Sequence, residues 1–263
     1  MGLFKNCKRV VVKVGTSTLT HATGQLNLRR IESIVKVLSD LKNGGKEIIL
    51  VSSGAVSAGI AKSGLGHRPI SLEEKQAMAS IGQSELMKIY DRFFSDYGHK
   101  VAQILLTRDV IEIPVRKEAA ENTFNTLLRM GCIPVVNEND AVSTDELVKF
   151  GGNDILSAHV ANLCSADILI NLSDIDGLYD RDPRRDPDAK FIERVENIDD
   201  ILTCAEGAGT ERGTGGMEAK LTAAKMVTDK GIPMFVMNGH DPEILYDLLD
   251  GKKIGTYFVA NKK

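Results

Sequence analysis

The sequence lacks an excess of either charge. Lys plus Arg number 33 and Asp plus Glu 36, for a formal net charge of −3, so no basic surplus marks nucleic acid or an anionic membrane as a partner. It also lacks paired cysteines: Cys7, Cys132, Cys164 and Cys204 lie far apart, with no Cys-x-x-Cys spacing. That distribution fits reduced, mostly buried thiols in a cytosolic protein better than a zinc site or a disulfide framework. His21, His67, His99, His159 and His240 are dispersed without metal-ligand spacing. No apolar run reaches transmembrane length, and the amino terminus is too poor in apolar residues for a signal peptide. No sequence repeat, low-complexity tract or interdomain linker interrupts the chain. These absences predict a cytoplasmic globular protein, with neither membrane nor nucleic acid as partner, in one continuous domain over residues 1–263.

Two familiar phosphate motifs are missing as well. No Gly-x-Gly-x-x-Gly follows the first predicted strand, and Gly207-x-Gly209 meets Arg212 where a third glycine belongs. The Gly45-Lys46 pair is followed by Glu47, so no P-loop is present either. A Rossmann dehydrogenase and a P-loop ATPase both lose support.

What is present is a chain with 43% hydrophobic residues, enough for a sizeable core. Short β-branched runs alternate with longer amphipathic ones, the pattern of a mainly parallel sheet covered by helices. Strands are predicted at 10–14, 47–51, 101–106, 133–136, 168–172, 233–237 and 255–259. Helices are predicted at 28–42, 72–94, 115–130, 155–163, 221–230 and 243–249. Residues 141–150 read as a hairpin or loop, and 180–190 as a surface loop.

Five polar segments stand out at the joints of this pattern. Lys13 interrupts a valine run just before Gly15-Thr16-Ser17, where it projects over a ligand crevice or protects an edge strand. Ser53 and Gly54, in Ser52-Ser53-Gly54-Ala55-Val56, offer a hydroxyl and an unhindered amide to an anion, or merely cap a helix. Asn137-Glu138-Asn139-Asp140 follows a buried-looking strand and is either a site or an exposed turn. Asn153 and Asp154 open the helical run that follows Gly151-Gly152, so Asp154 is either functional or an N-cap. Gly213-Thr214-Gly215-Gly216-Met217-Glu218-Ala219-Lys220 combines open amides, a helix start and an ammonium, which suits a polyphosphate; the alternative is a glycine-rich surface loop.

These segments, in this order, closely resemble the amino-acid kinase family, and within it the branch that phosphorylates free L-glutamate. The similarity spans residues 9–258. The Lys-x-Gly and Ser-Gly-Ala elements are shared widely by acetylglutamate, aspartate and uridylate kinases, whereas the Asn-Glu-Asn-Asp and Thr-Gly-Gly-Met segments are specific to the glutamate branch. The resemblance implies a three-layer α-β-α sandwich around a mainly parallel sheet. It implies transfer of a phosphoryl group from ATP, with Mg²⁺, to the γ-carboxylate of L-glutamate, the first step of proline biosynthesis. Lys13, Asp154 and Lys220 are expected to be catalytic. Ser53, Gly54, Asp140 and Asn153 are expected to bind glutamate. Lys13, Gly15, Ser173, Asp174 and residues Thr214, Gly215, Gly216, Met217, Glu218, Ala219 and Lys220 are expected to bind ATP. No protein metal ligand is expected, because Mg²⁺ would be held by phosphates and water.

The amino-terminal half is expected to bind mainly glutamate and the carboxyl-terminal half mainly ATP, without the PUA domain that many members carry at the carboxyl terminus. The resemblance also implies a homodimer or homotetramer, feedback by L-proline, and functional coupling to glutamate-5-semialdehyde dehydrogenase. Gly152 stands where Asp is common and Ala219 where Thr is common. An acetylglutamate- or carbamate-kinase-like enzyme and a non-catalytic amino-acid sensor are the alternatives. Asn137 to Asp140 discriminates among the enzymes, because a free α-ammonium calls for a nearby carboxylate.

Overall fold

The computed structural model describes residues 6–65, 71–142, 152–181, 183, 186–199, 201 and 215–261. Its centre is β1 (Arg9–Val14), a valine-rich strand buried along nearly its whole length. A short helix α1 (Thr16–Leu19), the amphipathic helix α2 (Leu28–Asn43) and β2 (Glu47–Ser52) follow. Asn27 caps α2 by accepting from the Arg30 amide, and Gly45, at φ +94°, lets the chain turn away from its end. Next come α3 (Ala55–Ser63), the long α4 (Leu72–Asp96) capped by Ser71, and β3 (Val101–Leu106). A short α5 (Arg108–Glu112) leads to α6 (Pro114–Arg129), β4 (Ile133–Glu138), α7 (Asn153–Leu163) and β5 (Ile168–Ser173). The carboxyl-terminal part adds β6 (Leu178–Tyr179), β7 (Phe191–Ile192), β8 (Arg194–Val195), α8 (Gly215–Thr228), β9 (Met234–Asn238), α9 (Ile244–Leu249) and β10 (Thr256–Phe258).

One eight-stranded sheet runs in the order β3-β4-β2-β1-β5-β9-β10-β8, and its pairs are parallel except β9 with β10. Strand alternation sends side chains to two cores. Val10, Val12 and Val14 pack with α2, α4 and α9; Val11 packs on the opposite face with α6, α7 and α8. This is the expected three-layer sandwich with a mainly parallel centre.

Several boundaries differ from the sequence reading. Asn137 and Glu138 belong to β4 itself, where they are buried and pair with Leu105 and Leu106 of β3. Residues 191–195, to which the sequence reading gives no element, form two short strands: β7 pairs with β6, while β8 joins the main sheet. Helix α8 begins at Gly215 rather than Leu221. The first-turn amides of a helix need no intrahelical acceptor, so glycines are tolerated there; Lys220 therefore falls in the second turn. Residues 143–150, read as a hairpin or loop, lie outside the described residues, as do Gly213 and Thr214.

Candidate active site

The parity of β1 decides where Lys13 goes. It shares a face with Val11, so its chain points toward α7 and α8, and β1 is central rather than an edge. Lys13 is only 6% exposed, and its Nζ lies 2.6 Å from Asp154 Oδ1. Asp154 is the second residue of α7, after an N-cap position occupied by Gly152 at φ +108°, so it is not an N-cap. Its other oxygen, Oδ2, is 3.3 Å from Lys220 Nζ, which also donates to the Gly216 carbonyl at 3.2 Å. One buried carboxylate thus holds two ammonium groups from distant parts of the chain.

A third donor completes that carboxylate. Asn171 lies directly opposite Lys13 in the β1–β5 ladder and donates from Nδ2 to Asp154 Oδ1 at 2.6 Å. Burial alone would raise the Asp154 carboxyl, but the charges of Lys13 and Lys220 and these hydrogen bonds hold it below its ordinary value. For Lys13 the balance reverses: burial depresses the ammonium below its usual range, Asp154 opposes this, and Lys220 adds to it. Two cations on one anion leave a net positive charge, which suits an incoming polyanion.

Beside this cluster, the carboxyl ends of β2 and β4 and the start of α7 enclose a cavity of about 260 Å³. Ser53, Gly54, Asp140 and Asn153 all line it, with Thr16, Asn137 and Glu138. Gly54, at φ +93°, occupies left-handed backbone space and caps α3, so the helix start faces the cavity. Asn153 Nδ2 donates to Ser52 O at 2.9 Å, Ser53 Oγ at 2.9 Å and Asn137 Oδ1 at 3.0 Å. Behind the cavity, Tyr90 of α4 lies 2.8 Å from Ser52 Oγ, which itself donates to the Ser53 carbonyl at 3.2 Å. Burial pushes the Tyr90 phenol up to about 12, with the Ser52 bond working against the shift, so it stays protonated.

The remaining expected residues lie around the same strand ends. Gly15 follows β1, and a Cβ built there would come 3.5 Å from Lys13 Nζ. Ser173 ends β5 and donates to Asp174 Oδ1 at 3.2 Å; the Asp174 charge reaches Lys13. Gly215 and Gly216 open α8, with Met217, Glu218 and Ala219 leading to Lys220. Thr214 lies outside the described residues. Sequence reasoning missed Asn171, Tyr90 and Gln83, the last a residue of α4 whose Oε1 accepts from Asn137 Nδ2 at 3.0 Å. Asn171 shares the parity of Lys13 on the adjacent strand, the one signal that could have found it.

Among the described residues, no group of three or more His, Cys, Asp or Glu side chains could hold a metal ion. No described helix is long and apolar enough to cross a membrane. Cys7, Cys132 and Cys164 are buried and form no disulfide among the described residues; Cys204 lies outside them.

Known proteins resemble this chain in sequence and in fold. A glutamate 5-kinase from Clostridium perfringens is 55% identical over 262 residues, covering 98% of this chain and 97% of that protein. One from Listeria monocytogenes is 51% identical, covering 98% and 95%. Among solved structures, carbamate kinase from Giardia lamblia bound to AMP-PNP superposes with a TM-score of 0.68 at 16% identity, covering 97% of this chain and 99% of that one. UMP kinase from Bacillus anthracis gives 0.64 at 18%, covering 97% of each. Those two likenesses establish the sandwich and leave the acceptor open. The amino acid kinase family profile matches residues 8–238, a span containing every residue of the lysine–aspartate cluster and its cavity, and the chain belongs to that family.

Proposed function

We propose that the chain transfers the γ-phosphoryl group of ATP to the γ-carboxylate of L-glutamate, giving L-glutamyl 5-phosphate, the first step of proline biosynthesis. The observation that carries this reading is the pairing of a two-lysine, one-carboxylate cluster with an adjoining cavity rich in acceptors. The glutamate 5-kinases at 51–55% identity support the same acceptor.

The chemistry needs little from the protein beyond charge and placement. A γ-carboxylate has a reference pKa near ~4.3 and is already a nucleophile at neutral pH. No general base is required. The barrier is repulsion between two anions, which positioned cations relieve. Lys13 would neutralise the phosphoryl group in flight from the glutamate side. Lys220 would do so from the nucleotide side, stabilising the departing ADP. Asp154 would keep both ammonium groups aimed through charge-assisted hydrogen bonds. The amides of Gly15 and Gly54 would meet equatorial oxygens.

Ser53, Asp140 and Asn153 would bind glutamate, with Asp140 facing the α-ammonium. Ser173, Asp174 and the Thr214–Lys220 stretch would line the nucleotide. Mg²⁺, when bound with ATP, shields phosphate charge. Both oxygens of Asp154 are taken by ammonium donors, so the donor set fits a cation carried by phosphate and water oxygens. The amino-terminal half then serves mainly glutamate and the carboxyl-terminal half mainly ATP. A homodimer or tetramer, inhibition by L-proline, coupling to glutamate-5-semialdehyde dehydrogenase and a cytoplasmic location belong to the same proposal.

ADP release from Mg-ATP, with L-glutamate, N-acetyl-L-glutamate, L-aspartate, carbamate and UMP offered separately and hydroxylamine present to trap an acyl phosphate, tests the reading. ADP and hydroxamate with free glutamate alone are expected. Turnover with another acceptor only would move the substrate assignment, and none at all despite ATP binding would favour an amino-acid sensor.

A further inference from the structure

Two backbone atoms fix the polarity of three side-chain amides beside the cavity. The Glu138 N–H can only donate, and it reaches Asn137 Oδ1 at 2.9 Å. Asn137 must therefore turn Nδ2 the other way, where it donates to Gln83 Oε1 at 3.0 Å. The Ser52 carbonyl can only accept, and it takes Asn153 Nδ2 at 2.9 Å. Ser53 Oγ and Asn137 Oδ1 lie on that same nitrogen at 2.9 and 3.0 Å. An amide nitrogen has only two hydrogens, so Asn153 Nδ2 is fully committed inside the protein. Its Oδ1 is left for the cavity that Asn153 lines. An acceptor there suits an ammonium and repels a carboxylate.

Gln83 ends this relay. It belongs to α4 rather than to a strand end, and it lines a neighbouring cavity of about 380 Å³ instead of the one Asn153 lines. We propose that Gln83 is a positioning residue for the substrate's amino group. Its Oε1 holds the Asn137 amide in one sense, and Asn137 in turn holds Asn153 with Oδ1 toward the pocket. The proposal rests on the glutamate reading. Without the Gln83 acceptor, Asn137 Nδ2 loses its partner. Turning the amide over would then set its NH₂ against the Glu138 N–H and the Asn153 NH₂, so neither orientation satisfies every donor.

The test is steady-state kinetics on Gln83→Met, which keeps the side-chain length and removes the acceptor, and on Gln83→Glu, which retains an acceptor oxygen. Gln83→Leu, run in parallel, guards against a methionine that packs poorly. Gln83→Met should raise the glutamate KM about tenfold, with kcat within about threefold and the ATP KM unchanged. Gln83→Glu should stay within about threefold of the parent on all three, and Gln83→Met should add nothing in an Asn137→Ala background. An unchanged glutamate KM in both the Met and Leu variants, equal rises in the Met and Glu variants, or full additivity with Asn137→Ala would overturn the proposal. Turnover of a different acceptor by the parent protein would overturn the glutamate reading instead, before any variant is made.

Discussion

Lys13 and Lys220 are bound to opposite oxygens of a single carboxylate, Lys13 at 2.6 Å and Lys220 at 3.3 Å. The arrangement makes Asp154 the common anchor of both cations. Asp154→Asn keeps the shape and removes the charge that fixes them. It should lower kcat about 10²-fold or more, by analogy with the loss of a single oxyanion donor. It should also cost about 3–5 kcal/mol of stability, because two buried ammonium groups lose their counter-ion. ADP release at saturating substrates and thermal melting read the two effects. A variant with kcat within threefold of the parent would show that the anchor is dispensable.

The same cluster predicts a pH profile. Burial holds Lys13 below the ordinary 10.5, so its proton leaves at lower pH than that of a free lysine. In kcat/KM for ATP, which reports the free enzyme, the alkaline limb should begin below 10.5. Asp154→Asn removes the charge that opposes the shift, and the limb should move lower still. For stability the signs differ by group. Because the unfolded chain binds more protons between the depressed Lys13 value and 10.5, this group adds stability as pH rises through that window. Asp154, held below 3.8, contributes above 3.8 and loses its contribution as pH falls through its folded value. An alkaline limb at the same pH in the parent and in Asp154→Asn would detach it from Lys13.

A packing prediction follows from the contact of α3 with α4. A Cβ on Gly82 would come 1.7 Å from the Ala55 carbonyl and 2.4 Å from the Gly59 amide nitrogen. Both obstacles are backbone, so α3 itself must move. Ala55 is its first residue and lines the cavity that Ser53, Gly54 and Asn153 share. Gly82→Ala should therefore destabilise by about 1–3 kcal/mol and raise the glutamate KM, because the Ser53–Gly54 turn moves with the helix. A melting temperature and KM equal to the parent's would show that the helices separate freely.

The groups legible in the sequence were those at chain joints. Lys13 breaks a valine run before a glycine, Asp154 opens a helix, and Lys220 follows a glycine-rich segment. Each is out of place for packing alone. Asn171 was hidden because it falls inside Ile168–Ser173, which reads as an ordinary buried strand; only its register opposite Lys13 exposes its role. Gln83 and Tyr90 were hidden for a different reason. They lie seven residues apart on a long helix, where a polar side chain facing a strand end looks no different from one facing water. The end of β4 was misplaced because polar residues usually terminate strands, whereas Asn137 and Glu138 stay buried and paired. The alternating runs made the sandwich legible; the antiparallel β9–β10 pair depends on long-range pairing that periodicity does not encode.

Two carboxylates line the cavity beside the lysine–aspartate cluster, Glu138 and Asp140, and they can be told apart. Glu138 is 7% exposed on β4, whereas Asp140 is only partly buried, just past the strand's end. Desolvating an ammonium is offset best by an anion that the substrate itself can reach, which favours Asp140. Asp140→Asn should then raise the KM for L-glutamate about tenfold or more while lowering kcat less, the pattern of lost ground-state binding. N-acetyl-L-glutamate has no ammonium to lose, so its rate should hold or improve and the preference for glutamate should narrow. Glu138→Gln should leave that preference intact. Measuring kcat/KM for both acceptors in both variants decides the matter: if Glu138→Gln narrows the preference and Asp140→Asn does not, the ammonium partner is Glu138.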